Sequence, residues 1–114
     1  MNVLDENVFQ GQRELLQSWG IPIRQIGYEI GRRGTQDEEV LPLLRRSRRA
    51  TSFTWDADFY KRGLCHAHYS LVYLDVGNHE FAVYVRRLLH HPAFNTEAKR
   101  MGAVGRVAAG GLTV

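Results

Sequence analysis

Cysteine is almost missing: Cys65 is the only one in 114 residues. A single thiol excludes an intrachain disulfide framework and the usual structural zinc sets, which draw on several cysteines. Proline is scarce as well, with three residues, so the chain holds no proline-rich linker. Long apolar runs are lacking, and no uncharged stretch approaches the ~20 residues that a membrane span needs. The opening Met1-Asn2-Val3-Leu4-Asp5-Glu6-Asn7 also lacks the basic region and apolar core of a secretory leader. These absences predict a protein of the reducing cytoplasm with no membrane partner.

What is present suits a folded domain. Hydrophobic residues make up 44% of the chain, enough to build a core, and the net charge of +3 is too small to hold it open. At this length we expect one domain over residues 1–114, with no room for a second core. The charge is unevenly spread. Residues 1–58 hold nine acids against eight cations, whereas residues 59–114 hold three against seven. A mildly basic protein with its acids gathered in one half suits a polyanionic ligand held near a cation site.

Along the chain, strand and helix patterns alternate. Val3-Leu4 reads as a short strand, and Val8, Leu15, Leu16 and Trp19 as a helix that Gly20 and Pro22 stop. Ile21, Ile23 and Ile26 suggest a second strand. The segment from Gly27 to Gln36, with three glycines and the pair Arg32-Arg33, reads as a loop. Asp37-Glu38-Glu39 opens a helix that ends in Arg45, Arg46, Arg48 and Arg49, acids first and cations last, as the helix dipole favours. Ala50–Trp55 is β-prone, 71–76 is a nearly continuous apolar run of the kind buried on both faces, and residues 81–89 form a helix. A short helix near 96–101 and one last strand over 105–114 complete the pattern. Such alternation predicts an α/β fold of three layers, α/β/α, around a mainly parallel sheet.

In parallel sheets, sites form at the carboxyl ends of strands. Asp5, Asp56 and Asp58 follow expected strand ends, and Asp37 heads a helix that starts on the same edge. Carboxylates brought together repel one another and call for raised pKa values or a hard cation. Mg²⁺ or Mn²⁺ suits oxygen ligands, and Mg²⁺ keeps waters while using one or two carboxylates, which leaves room for phosphate.

Three segments carry a family resemblance. Leu4-Asp5-Glu6-Asn7, then Asp37-Glu38-Glu39-Val40 after a Gly-rich loop, then Thr54-Trp55-Asp56-Ala57-Asp58-Phe59 resemble, in that order and spacing, the PIN-like nucleases, in particular a small bacterial family of unknown function. The resemblance covers about residues 2–90. It implies a PIN-type fold, a Mg²⁺ or Mn²⁺ site, and ribonuclease activity, often as the toxin of a toxin–antitoxin pair with a small protein antitoxin. Carried over by position, it makes Asp5, Asp37, Asp56 and Asp58 the four acids and Thr54 the hydroxyl residue before the third. Asp5 and Asp56 would be the main metal ligands, Asp37 and Asp58 ligands or water-orienting groups, and Thr54 a hydrogen-bond support, with Glu6 and Glu39 farther out. One departure is Asp75, which stands where relatives carry a cation.

Each feature also has a plainer reading. Asp5 or Asn7 could cap the first helix, Asp37 the second, and Asp56 and Asp58 could belong only to a turn. Arg45, Arg46, Arg48 and Arg49 read as a solvated helix end. Arg32, Arg33, Lys61 and Arg62 lie beside the acids in sequence and could grip RNA phosphates. Trp55 and Tyr60 flank the acids; Trp55 reads as core first and as a base-stacking group second. Cys65-His66-Ala67-His68 lacks zinc-site spacing. The apolar surface of 81–89, including Val83 and Tyr84, is wide enough for a homodimer or partner contact. A PIN-like module that binds nucleic acid or protein without catalysis is the alternative to the enzyme. With the four acids set aside, the charge of +3 becomes +7, the field an RNA would meet once metal neutralises them.

Overall fold

A computed structural model describes residues 1–114. In chain order the elements are β1 (Asn2–Leu4), α1 (Gln10–Ser18), β2 (Arg24–Gln25), α2 (Asp37–Arg46), β3 (Ala50–Thr54), β4 (Tyr69–Asp75), α3 (Phe81–His90), α4 (Glu97–Arg100), β5 (Val104–Ala108) and β6 (Gly111–Thr113). Two 3-10 turns, 57–59 and 62–64, link β3 to β4. The six strands form one sheet in the order β2-β1-β3-β4-β5-β6, parallel throughout except for β5 with β6. The expected mainly parallel α/β architecture is present. No helix is long and apolar enough to cross a membrane.

Strand alternation divides the interior between the two faces of the sheet. Leu4, Phe53, Val72 and Leu74 pack with Val8, Leu16, Phe81, Val85 and Leu88 on one face. On the other, Val3, Ala50 and Leu71 pack with Val40, Leu43 and Leu44 of α2. Phe53, Leu4, Leu16 and Leu44 are fully buried, and each such side chain stabilises the fold by about 1.5–3 kcal/mol. The chain leaves β1 for β2 on one side and then crosses back through α2 to β3 on the other. Crossovers of one hand run in opposite directions place their helices on opposite faces, and α1 and α2 do pack into different cores.

Three local expectations change. The first helix is capped by neither Asp5 nor Asn7; it starts at Gln10, with Phe9 at the N-cap and no side-chain cap bond. The second strand is Arg24–Gln25 rather than the isoleucines before it, because its pairing to β1 joins Val3 to Arg24 and Leu4 to Gln25, while Ile21 and Ile23 pack against the core as partly buried residues outside the strand. The last strand is a hairpin. Ala109-Gly110 turns β5 into the antiparallel β6, a break that the apolar pattern of 105–114 conceals.

Candidate functional site

The strand order places a reversal between β1 and β3, since the chain runs outward from β1 in both directions. Crevices in open parallel sheets form outside the carboxyl ends of the strands at such a reversal. Leu4 pairs with Phe53, so the residues that follow, Asp5 and Thr54 to Asp56, leave the sheet side by side. Asp37, the first residue of α2, joins them. A cleft of about 310 Å³ results, lined by Asp5, Asp37 and Asp56 together with Glu6, Thr54 and Trp55. Asp58 is exposed and lies outside that lining, although its charge reaches Asp37.

Thr54 holds the centre. Its buried hydroxyl donates to Asp5 Oδ2 at 2.8 Å and accepts from the Asp56 amide at 2.9 Å. The hydroxyl's one proton is therefore committed to a carboxylate, and the same oxygen fixes the backbone where the chain turns to Asp56. Asp5 Oδ1 accepts from the Asn7 amide at 3.2 Å, and Asp56 Oδ1 from the Asp58 amide at 2.9 Å. These turn contacts coexist with the cleft position. Asp37 does not cap α2: Gln36 is the N-cap residue, and the Glu39 carboxylate accepts from its amide at 3.4 Å.

None of the four acids has an ion-pair partner. Asp37 is itself exposed, yet its carboxyl is raised from the usual 3.8, first by partial loss of solvation and then by the charges of Asp56, Asp5 and Asp58. Asp75, by contrast, is matched by Arg106 on the neighbouring strand, with Nε at 3.2 Å, and stays outside the cleft.

The carboxylates do not form a closed group of three or more metal ligands. Asp5, Asp37 and Asp56 bring carboxylate oxygens to one cleft, and a hard cation such as Mg²⁺ uses one or two carboxylates and leaves the rest of its shell to water. Mg²⁺ or Mn²⁺ fits that donor chemistry; a thiol- or imidazole-seeking metal does not. Cys65 is exposed, and His66 Nδ1 accepts from the His68 amide at 3.1 Å.

Glu6, expected farther out, has a different part, and two further contributors were not legible beforehand. Glu6 accepts from the Gly34 amide with both oxygens, at 3.0 and 3.1 Å, and so ties the Gly-rich loop to the cleft. Gly27, at φ +87°, lies so close that a β-carbon would sit 2.7 Å from Glu6 Oε2. Gln25, 1% exposed, reaches the carbonyls of Asp5, Glu6 and Val8 with Nε2 at 3.0–3.1 Å. No sequence signal marks it: Gln25 follows the charged Arg24 and reads as an ordinary polar position. Of the four cations proposed for phosphate, Arg32 forks onto Glu39 at 2.8 and 3.1 Å, and Arg33 lies over the Tyr28 ring at 5.2 Å. Lys61 and Arg62 are exposed, unpaired and outside the cleft lining. Tyr60 packs near Tyr73, ring centroids 6.2 Å apart.

Comparison of this chain with protein-family models, curated proteins and solved structures gave no match.

Proposed function

We propose that this chain is a PIN-like endoribonuclease dependent on Mg²⁺ or Mn²⁺, acting in the cytoplasm as the toxin of a toxin–antitoxin pair. The reading takes the helices on both faces as the α/β/α layering of that fold. One observation carries it: Asp5, Asp37 and Asp56 line a single cleft at the sheet's reversal with no cation of the protein beside them. A carboxylate set left uncompensated is costly unless a metal completes it.

In this reading Asp5 and Asp56 hold the cation. When bound it supplies polarisation of a phosphoryl oxygen and a more acidic water. Thr54 keeps the Asp5 carboxylate turned to the cleft through its hydrogen bond. Asp37 accepts a hydrogen bond from the attacking water and orients it. Asp58 assists from the rim. Arg33, Lys61 and Arg62, free of acidic partners, attract the phosphates that flank the cut, while Arg32 contributes only by releasing Glu39.

The test is direct. Purified protein is incubated with RNA in Mg²⁺, in Mn²⁺ and in EDTA, and the products are resolved on a gel. Cleavage is expected with either metal and none with EDTA, and Asp5→Asn and Asp56→Asn each lose at least ~100-fold, the scale of a lost electrostatic contact in a site. Cleavage that survives chelation sinks the mechanism. RNA binding with no cleavage under any metal replaces it with a non-catalytic module. Growth arrest on expression, relieved by a small protein encoded next to it, is the expected sign of the toxin role.

A further inference from the structure

Phe9 breaks a local rule. It is 48% exposed, and it occupies the N-cap of α1, where Ser, Thr, Asp or Asn would supply an acceptor to the first turn, without any side-chain cap bond. An aromatic ring gives the helix start nothing that a serine would not give better. Its one specific partner is Trp55, met edge to face with ring centroids 5.3 Å apart at 69°. Trp55 in turn meets Phe81 at 4.8 Å and 71°, and Phe81 is fully buried. The three rings thus form a ledge anchored in the core at one end and open to solvent at Phe9.

The ledge meets the acids through Trp55; Phe9 stands one ring farther out, outside the cleft lining. Trp55 directly precedes Asp56 and lines the same cleft as Asp5, Asp37 and Asp56. Its indole N–H is buried with no hydrogen-bond partner in the chain, a second local cost at the same rim. Departures from local rules that cluster at one place are characteristic of sites kept for function. Exposed aromatic faces beside a groove bind unpaired bases by stacking, tolerant of sequence because every base has a π-face.

We propose that Phe9, supported by Trp55, is a stacking platform for one unpaired nucleobase next to the acidic cleft, and that it directs the protein to single-stranded or looped RNA rather than to duplex. The inference rests on the RNA reading given above but concerns binding, not hydrolysis. It assigns Phe9 as the residue that selects substrate, and Trp55 as the one that positions it.

Binding is measured by fluorescence anisotropy with a labelled single-stranded oligoribonucleotide, in Ca²⁺ in place of Mg²⁺ with the RNA checked for integrity. Four proteins are compared: wild type, Phe9→Ser, which restores a cap and removes the ring, Phe9→Leu, which keeps apolar contact with Trp55, and Phe9→Tyr, which keeps the ring. Expected is a loss of roughly 5- to 100-fold for Ser and Leu, affinity within about threefold for Tyr, and no difference among the four on an abasic oligomer or on duplex RNA. Melting curves identify any variant that fails to fold, and Leu with Tyr then carry the comparison. Equal affinity of Leu, Tyr and wild type for the single strand overturns the platform, as does undetectable wild-type binding. Light scattering in which Phe9→Ser dissolves a dimer overturns it in favour of a contact between copies. Absence of cleavage in Mg²⁺ with the Phe9 dependence intact removes the nuclease reading and leaves the platform standing.

Discussion

At the residue scale the site turns on charges without partners. Asp37 binds its proton more readily in the folded chain than in the unfolded one, because solvation is lost and Asp56, Asp5 and Asp58 face it. The folded state therefore holds more protons just above pH 3.8, and stability falls as pH rises through the elevated pKa. Removing the charge should remove that slope. Asp37→Asn is expected to raise the melting temperature of the metal-free protein at pH 7 and to flatten its decline between pH 4 and pH 7 (chosen around the ordinary carboxylate range of about 4), as read by thermal denaturation in EDTA. Thr54 acts in the opposite sense. Thr54→Val keeps the shape but strands the Asp56 amide and one Asp5 lone pair, and the expected loss is about 1–3 kcal/mol in urea unfolding.

At the element scale the cleft depends on short segments pinned by contacts distant in sequence. The Gly-rich loop between β2 and α2 is held by Glu6, and Gly27 makes the approach possible because it has no β-carbon and adopts φ +87°. Gly27→Ala pays for the left-handed backbone and pushes Glu6 away. A destabilisation of about 1–3 kcal/mol is expected, with protease sensitivity rising within 28–36 first. Gln25 plays a comparable part for the segment after β1, where three carbonyls turn to one buried amide. The start of α3 is secured from another helix too: Gln12 Oε1 accepts from the Ala82 amide at 2.9 Å.

At the scale of the whole molecule, the acidic cleft and an arginine-lined cavity lie at opposite ends of the parallel strands. The acids gather where the parallel strands end. Arg45, Arg48, Arg49 and His68 line a separate cavity where β3 and β4 begin, Arg49 immediately before β3 and His68 immediately before β4. A divalent cation at the acidic edge should therefore stabilise the entire fold, by about 2.7 kcal/mol at a hundred times its Kd. For a chain of this size that corresponds to a rise of about 10 °C or more. Mn²⁺ titration followed by thermal shift checks it, and the double variant Asp5→Asn with Asp56→Asn should show no rise. A rise of equal size in that variant would move the cation elsewhere.

Local pattern determined much of this. The apolar run at 71–76 and the helix at 81–89 are plain because hydrophobic spacing reports directly on burial, and the acids after strand ends were visible because a parallel sheet aims successive carboxyl ends at one edge. The start of α1 was misplaced because Asp5 and Asn7 look like caps; only the pairing of Leu4 with Phe53, which sets Asp5 beside Thr54, directs that carboxylate into the cleft instead. The hairpin after Ala108 was hidden for a similar reason, since an apolar run does not encode strand direction. Which acids share the cleft was likewise a tertiary outcome: Asp5, Asp37 and Asp56 line it and Asp58 does not. Residue type and spacing established what chemistry the chain could carry. The order in which distant strands pair decided which groups meet, because contacts across 49 positions, as between Asp5 and Thr54, are made by the sheet and not by the local chain.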